Sequence, residues 1–203
     1  MHYVRLPAVA ILFANVRDPR YVGPNGEPPP PLPEAEIRRI LAQVFDGARF
    51  YWMNSGMHFF LDVDTVVVRE PVERSEIFAN LSYYPPAEGK IEEVLRKAGK
   101  DPEQYRAVFY IACLQKWLEE EKRWELAGRG GAFTSGLGAN GKYGVSWWEA
   151  TRAHHFSGNN WLVVHEFHHQ LDELITLSGY PEYWFNHFSP TIGTAADFGE
   201  HFD

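Results

Sequence analysis

Apolar positions along this chain fall into short blocks whose spacing alternates between strand-like and helix-like. Residues 8–16 are almost unbroken apolar sequence of strand length. They predict a buried strand and not a signal-peptide core, because only Arg5 precedes the apolar run from Leu6 and no small-x-small cleavage site follows before Arg17. Residues 17–33 are turn-rich, and the prolines at 28–31 favour an extended polyproline conformation. Pro33, Glu34 and Glu36 then open a helix with Ile37, Ile40, Leu41 and Phe45 on one face. Residues 57–68 read as a second strand, rich in β-branched and aromatic side chains. A second helix over residues 91–98 stops at Gly99.

Residues 107–113 are apolar and predict a third strand, although Asp101, Pro102 and Gln104 resemble the start of a helix reaching Trp124. Residues 114–126 are charged and predict a helix. A glycine-rich loop over 128–144 leads into a strand at 143–148, and a last helix over 160–178 is framed by Ser157, Gly158, Asn159 and Asn160 before it and Gly179 and Pro181 after it. No internal repeat is visible. The order of elements predicts an α/β (α+β) fold.

Composition narrows this further. With 203 residues, 45% of them hydrophobic and 15% aromatic, the chain has enough apolar surface for a single domain, here 1–203. A net charge of -8 with scattered basic residues argues against a nucleic-acid surface, which needs concentrated Lys and Arg. No apolar run approaches the ~20 residues that span a bilayer. The single cysteine, Cys113, excludes an intrachain disulfide framework and sits in apolar sequence as a small core residue would.

The most informative chemistry lies in the last helix, where His165, Glu166, Phe167, His168 and His169 follow one another. Histidines at i and i+4 point about 40° apart on a helix, so both imidazoles can hold one metal ion, with the glutamate placed beside a zinc-activated water. On a helical wheel Val163, Val164, Phe167, Leu171, Leu174 and Ile175 share one arc, and His165, Glu166, His169 and Asp172 share the opposite one. A core face and a cleft face are therefore separated. His168 lies about 60° from His165 and is expected to be structural or to orient a neighbour.

Two other patterns compete. Gly136, Gly138, Gly141 and Lys142 approximate a phosphate-binding loop, but Tyr143 stands where Ser or Thr should bind magnesium, and neither a buried strand before nor an apolar helix after is present. Asp62 and Asp64 point to one face of a strand and could pair as acid and base or bind a metal, with ordinary alternation at a sheet face as the plainer explanation.

The succession of strand, helix, strand, strand, edge strand and a helix with His-Glu-x-x-His resembles the amino-terminal lobe of the zincin metallopeptidases. The resemblance implies a zincin-like mixed twisted sheet backing the active-site helix, an edge strand that pairs with an extended protein or peptide substrate, and a small, mostly helical C-terminal lobe. It divides the chain into an N-terminal lobe, 1–178, and the start of a C-terminal lobe, 179–203, whose end without a helix-stop signal suits a fragment. Residues 143–148, or the glycine-rich stretch before them, are the expected edge. Asp172 and Ile175 depart from the metzincin pattern of glycine and histidine or aspartate at those positions, so the chain looks more like a gluzincin of the lethal-factor type. That type takes an acidic third ligand from a later helix.

The resemblance therefore implies Zn2+ held by His165, His169 and Glu200, with Glu166 as the catalytic base. Asp197, His201, His187 and Glu182 are rivals of Glu200, and Asp172, about a turn too far along the helix, is expected to cap it or to orient a histidine. Tyr180, Tyr183, His187 and His201 are candidates for stabilising the oxyanion. The function class leans towards a secreted or cell-surface setting. A competing expectation is a catalytically inactive zinc-containing module that binds peptides or glycans through some of its 7 Trp and 10 Tyr.

Overall fold

The computed structural model describes residues 3–79, 86–127, 132–135, 143–150 and 161–177. Its elements in chain order are β1 (Val4–Phe13), β2 (Val16–Arg17), α1 (Glu34–Asn54), β3 (Phe59–Val68), β4 (Val72–Glu73), α2 (Arg74–Ile77) and α3 (Lys90–Lys97). They continue with β5 (Ala107–Ala112), β6 (Gln115–Leu118), β7 (Arg123–Leu126), β8 (Ala132–Ser135), β9 (Gly144–Glu149) and α4 (Trp161–Leu177). The fold is α/β. A five-stranded mixed sheet runs in the order β3-β1-β5-β9-β8, its first four strands parallel and β8 antiparallel to β9. Two small ribbons, β2 with β4 and β6 with β7, complete the strand set among the described residues.

The chain moves from β1 to β3 on one side and then back across β1 to β5 on the other. Right-handed crossovers made in opposite directions place their helices on opposite faces of a sheet. That is the observed arrangement. Ala8, Ala10, Leu12, Phe109, Ile111 and Trp148 face a core shared with Ile37, Ile40 and Val44 of α1 and Val163, Val164 and Phe167 of α4. Val9, Ile11, Phe13, Val108, Tyr110 and Val145 face a second core with Ile91, Val94 and Leu95 of α3. Residues 8–13 are covered on both sides and have no accessible surface, which is why this strand reads as an unbroken apolar run and not as an alternation.

Helices α1 and α4 approach closely on the first face. A Cβ added to Gly47 would lie 2.5 Å from Val163 Cγ1, so glycine at this point sets the spacing of the two helices. No helix among the described residues is long and apolar enough to cross a membrane.

Several expectations change. Residues 114–126 form a hairpin and not a helix: Trp117 and Trp124 are cross-strand partners with ring centroids 5.7 Å apart, and the acidic and basic residues from 119 to 122 make the turn, with Lys122 at φ 50°. Their charges are spaced as on a helix surface, yet here they bracket a reversal, with Lys122 paired to Glu119. The helix-start signal at Asp101 is real but short, since its carboxylate accepts from Glu103 N–H at 3.1 Å and the chain makes one 3-10 turn before entering β5. Phe45 is 47% exposed, and the buried stripe of α1 continues through Val44, Gly47 and Tyr51 instead. Of the two alternatives for the edge, the glycine-rich stretch supplies it among the described residues, since β8 pairs outside β9 and leaves 144–149 in the interior of the sheet. The C-terminal lobe, 179–203, lies outside the described residues.

Candidate metal centre

Helix α4 presents Val163, Val164 and Phe167 to the sheet, and all three are buried. Leu171 packs partly against the same core. The side chains of Leu174, Ile175 and Asp172 lie outside the described residues, as do the framing residues 157–160, Gly179 and Pro181.

The predicted pair comes together. His165 Nε2 and His169 Nε2 are 3.3 Å apart, with the two rings nearly perpendicular and their centroids 5.0 Å apart. Two zinc–nitrogen bonds of ~2.0–2.1 Å at a tetrahedral angle span roughly 3.3–3.4 Å, so the two imidazoles fit a shared zinc ion. Glu166 Oε1 stands 3.7 Å from His165 Nε2. The Glu166 side chain is buried, and burial pushes its carboxyl pKa up to about 8. A buried carboxyl with a raised pKa, 3.7 Å from one of two convergent imidazole nitrogens, makes Glu166 a candidate for proton transfer and the histidine pair a candidate for holding a cation.

The third ligand proposed from sequence, Glu200, lies outside the described residues. So do Glu182, His187, Asp197 and His201, and with them Tyr180 and Tyr183. Among the described residues no group of three His, Cys, Asp or Glu side chains is placed to hold a metal, which leaves the site with two described donors.

His168 has the structural role expected of it. Tyr51, at the last turn of α1, donates its hydroxyl hydrogen to the Val164 carbonyl at 2.7 Å, and its oxygen lies 2.8 Å from His168 Nδ1. The phenol has one hydrogen, so with that hydrogen on the carbonyl the imidazole Nδ1–H is the donor to the phenol oxygen. Burial of the ring lowers its pKa. On the other side of α4, Gln170 has no accessible surface and donates from Nε2 to Ser146 Oγ of β9 at 2.5 Å.

Sequence reasoning passed over Tyr51 and Gln170. Tyr51 was legible as the next member of the 37-40-44-47-51 stripe. Gln170 carried no local signal, because a glutamine between a candidate ligand histidine and a leucine looks solvated until the sheet beneath it is known.

The competing motifs dissolve into structural roles where they are described. Arg5 Nε donates to Asp62 at 2.7 Å, and Asp64 is paired with Lys100 and accepts from Tyr105 Oη at 2.9 Å, so both carboxylates form surface ion pairs. Tyr143 is buried and donates its hydroxyl to Glu92 at 2.7 Å, while Gly136, Gly138, Gly141 and Lys142 lie outside the described residues. Cys113 is wholly buried, and burial pushes its thiol pKa far up, as suits a core residue. The chain matches no protein-family model, and neither a curated protein nor a solved structure matches it.

Proposed function

We propose that this chain is a zinc-dependent metallopeptidase domain of the zincin kind, in which His165 and His169 hold the metal and Glu166 transfers protons. The single observation that carries this reading is the pair of ring nitrogens 3.3 Å apart with a buried carboxyl 3.7 Å from one of them. Glu200 completes the donor set in this proposal, with Asp197, His201, His187 and Glu182 as its rivals.

A zinc ion held by His165, His169 and a third donor would supply Lewis acidity toward a scissile carbonyl and toward the attacking water near neutral pH. Glu166 supplies the proton path: a cation on the adjacent histidines would favour its ionised form over the protonated one of the metal-free protein, and the carboxylate accepts a proton from the attacking water and delivers it to the departing amine nitrogen.

The surroundings favour a peptide as substrate. Helix α4 runs alongside β8 and β9, and β8 ends the sheet among the described residues. Its outer backbone groups suit an extended chain added as a further strand. The expected result for zinc-loaded Glu166→Gln is loss of peptide-library hydrolysis by about 10²-fold or more with zinc retained. Full activity in that variant refutes the assignment.

A further inference from the structure

We propose that Gln170 and Tyr51 are positioning residues that lock the roll of α4 about its own axis and so fix the direction in which His165 and His169 present their nitrogens. The proposal rests on the reading of those histidines as a metal pair. On a helix of 100° per residue, His168 lies about 80° to one side of the midline between His165 and His169, and Gln170 about 120° to the other. Each flank carries a polar contact to a different element. Tyr51 of α1 holds the His168 side by two hydrogen bonds, one to the Val164 carbonyl and one with His168 Nδ1. Ser146 of β9 holds the Gln170 side.

The apolar contacts between these flanks do not fix roll by themselves. Val163, Val164 and Phe167 gain from burial in any setting that keeps them covered, since hydrophobic burial has no direction. Hydrogen bonds do have one. A roll of α4 of a few tens of degrees breaks the bond on one flank or the other and swings both imidazoles away from their common point.

Gln170 also has a feature that stability alone does not account for. Its Oε1 is buried without a hydrogen-bond partner among the described residues, an arrangement that costs folding free energy. The sheet makes room for it: a Cβ on Gly144 would lie 2.5 Å from that oxygen. A leucine of similar volume would avoid the unsatisfied acceptor. A buried polar group kept at such a cost has its best-attested use in specifying register between packed elements.

The test compares the chain with its Gln170→Leu and Tyr51→Phe variants; the first removes one hydrogen bond and the second two, and each keeps a buried side chain of similar size. Three readouts are taken: the urea midpoint of the metal-free protein, Zn2+ affinity by competition with a chromophoric chelator, and the visible spectrum of the Co2+-loaded protein. The expected result is an unchanged or higher urea midpoint for Gln170→Leu, with Zn2+ binding weakened about 10- to 100-fold and an altered Co2+ spectrum in both variants. Unchanged Zn2+ affinity and Co2+ spectrum overturn the proposal, as does a loss of stability with no change at the metal. A wild-type chain that binds zinc but hydrolyses no peptide removes the peptidase reading and leaves this proposal standing on its metal readouts. A wild-type chain that binds no zinc removes both.

Discussion

Glu166 is the group whose burial should leave the clearest mark on stability, and the effect has a defined direction in pH. The residue is 4% exposed and its carboxyl pKa in the folded, metal-free protein is raised from 4.5 to about 8 by desolvation. At low pH the carboxyl is neutral in both folded and unfolded chains. As pH rises it ionises first in the unfolded chain, near 4.5, and keeps its proton in the folded chain to about 8. The folded state is therefore progressively disfavoured across that window and not further above it. At ~1.4 kcal/mol per pKa unit the penalty is below ~1 kcal/mol at pH 5, about 3 at pH 7 and about 4 at pH 8. Glu166→Gln removes the ionisation while keeping the shape. Urea unfolding of the metal-free wild type and variant at pH 5 and pH 8 checks this directly. The stability advantage of the variant should grow by about 3 kcal/mol between the two pH values. An advantage that is the same at both refutes the argument that a desolvated carboxyl sits beside His165.

Other consequences follow from particular contacts. Arg74 is 2% exposed and pairs with Glu149 at 2.8 Å and with Asp18 at 3.7 Å, so Arg74→Leu leaves the buried Glu149 carboxylate without its cation, while Asp18 keeps its bonds to Arg20. It should cost about 3–5 kcal/mol by urea unfolding, with part recovered by adding Glu149→Gln. Gly47→Val should cost about 1–3 kcal/mol in the same assay by forcing α1 away from Val163, which is two residues before His165, and should lower zinc affinity as well. Cys113, wholly buried with its thiol held protonated, should react with a thiol reagent only at the rate at which the protein unfolds.

Much of the fold could be read from local pattern where one physical cause dominated. The continuous apolar run at residues 8–13 meant burial on both faces, and the structure places that strand inside the sheet with helices on each side. The stop at Gly99 was legible because φ there is 72°, a conformation that favours glycine. The hairpin at Gln115–Leu118 and Arg123–Leu126 was not legible, since its turn is built from the charged residues that also stabilise helix surfaces. Only the cross-strand meeting of Trp117 with Trp124 decides between them.

Position in a sheet is equally non-local. The strand Gly144–Glu149 has the composition of an edge or an interior strand, and its place was set by β8 pairing outside it. At the site, spacing alone put His165, Glu166 and His169 together, because four residues of helix fix that geometry. Tyr51 and Gln170 entered only through contacts across 113 and 24 residues of chain.

The most direct test of the central claim is the zinc content of the purified chain, of Glu166→Gln and of the double variant His165→Ala/His169→Ala, measured by elemental analysis after dialysis. One zinc per chain in the first two and none in the third is the predicted result. Zinc retained without the two histidines, or absent from the wild type, contradicts the account.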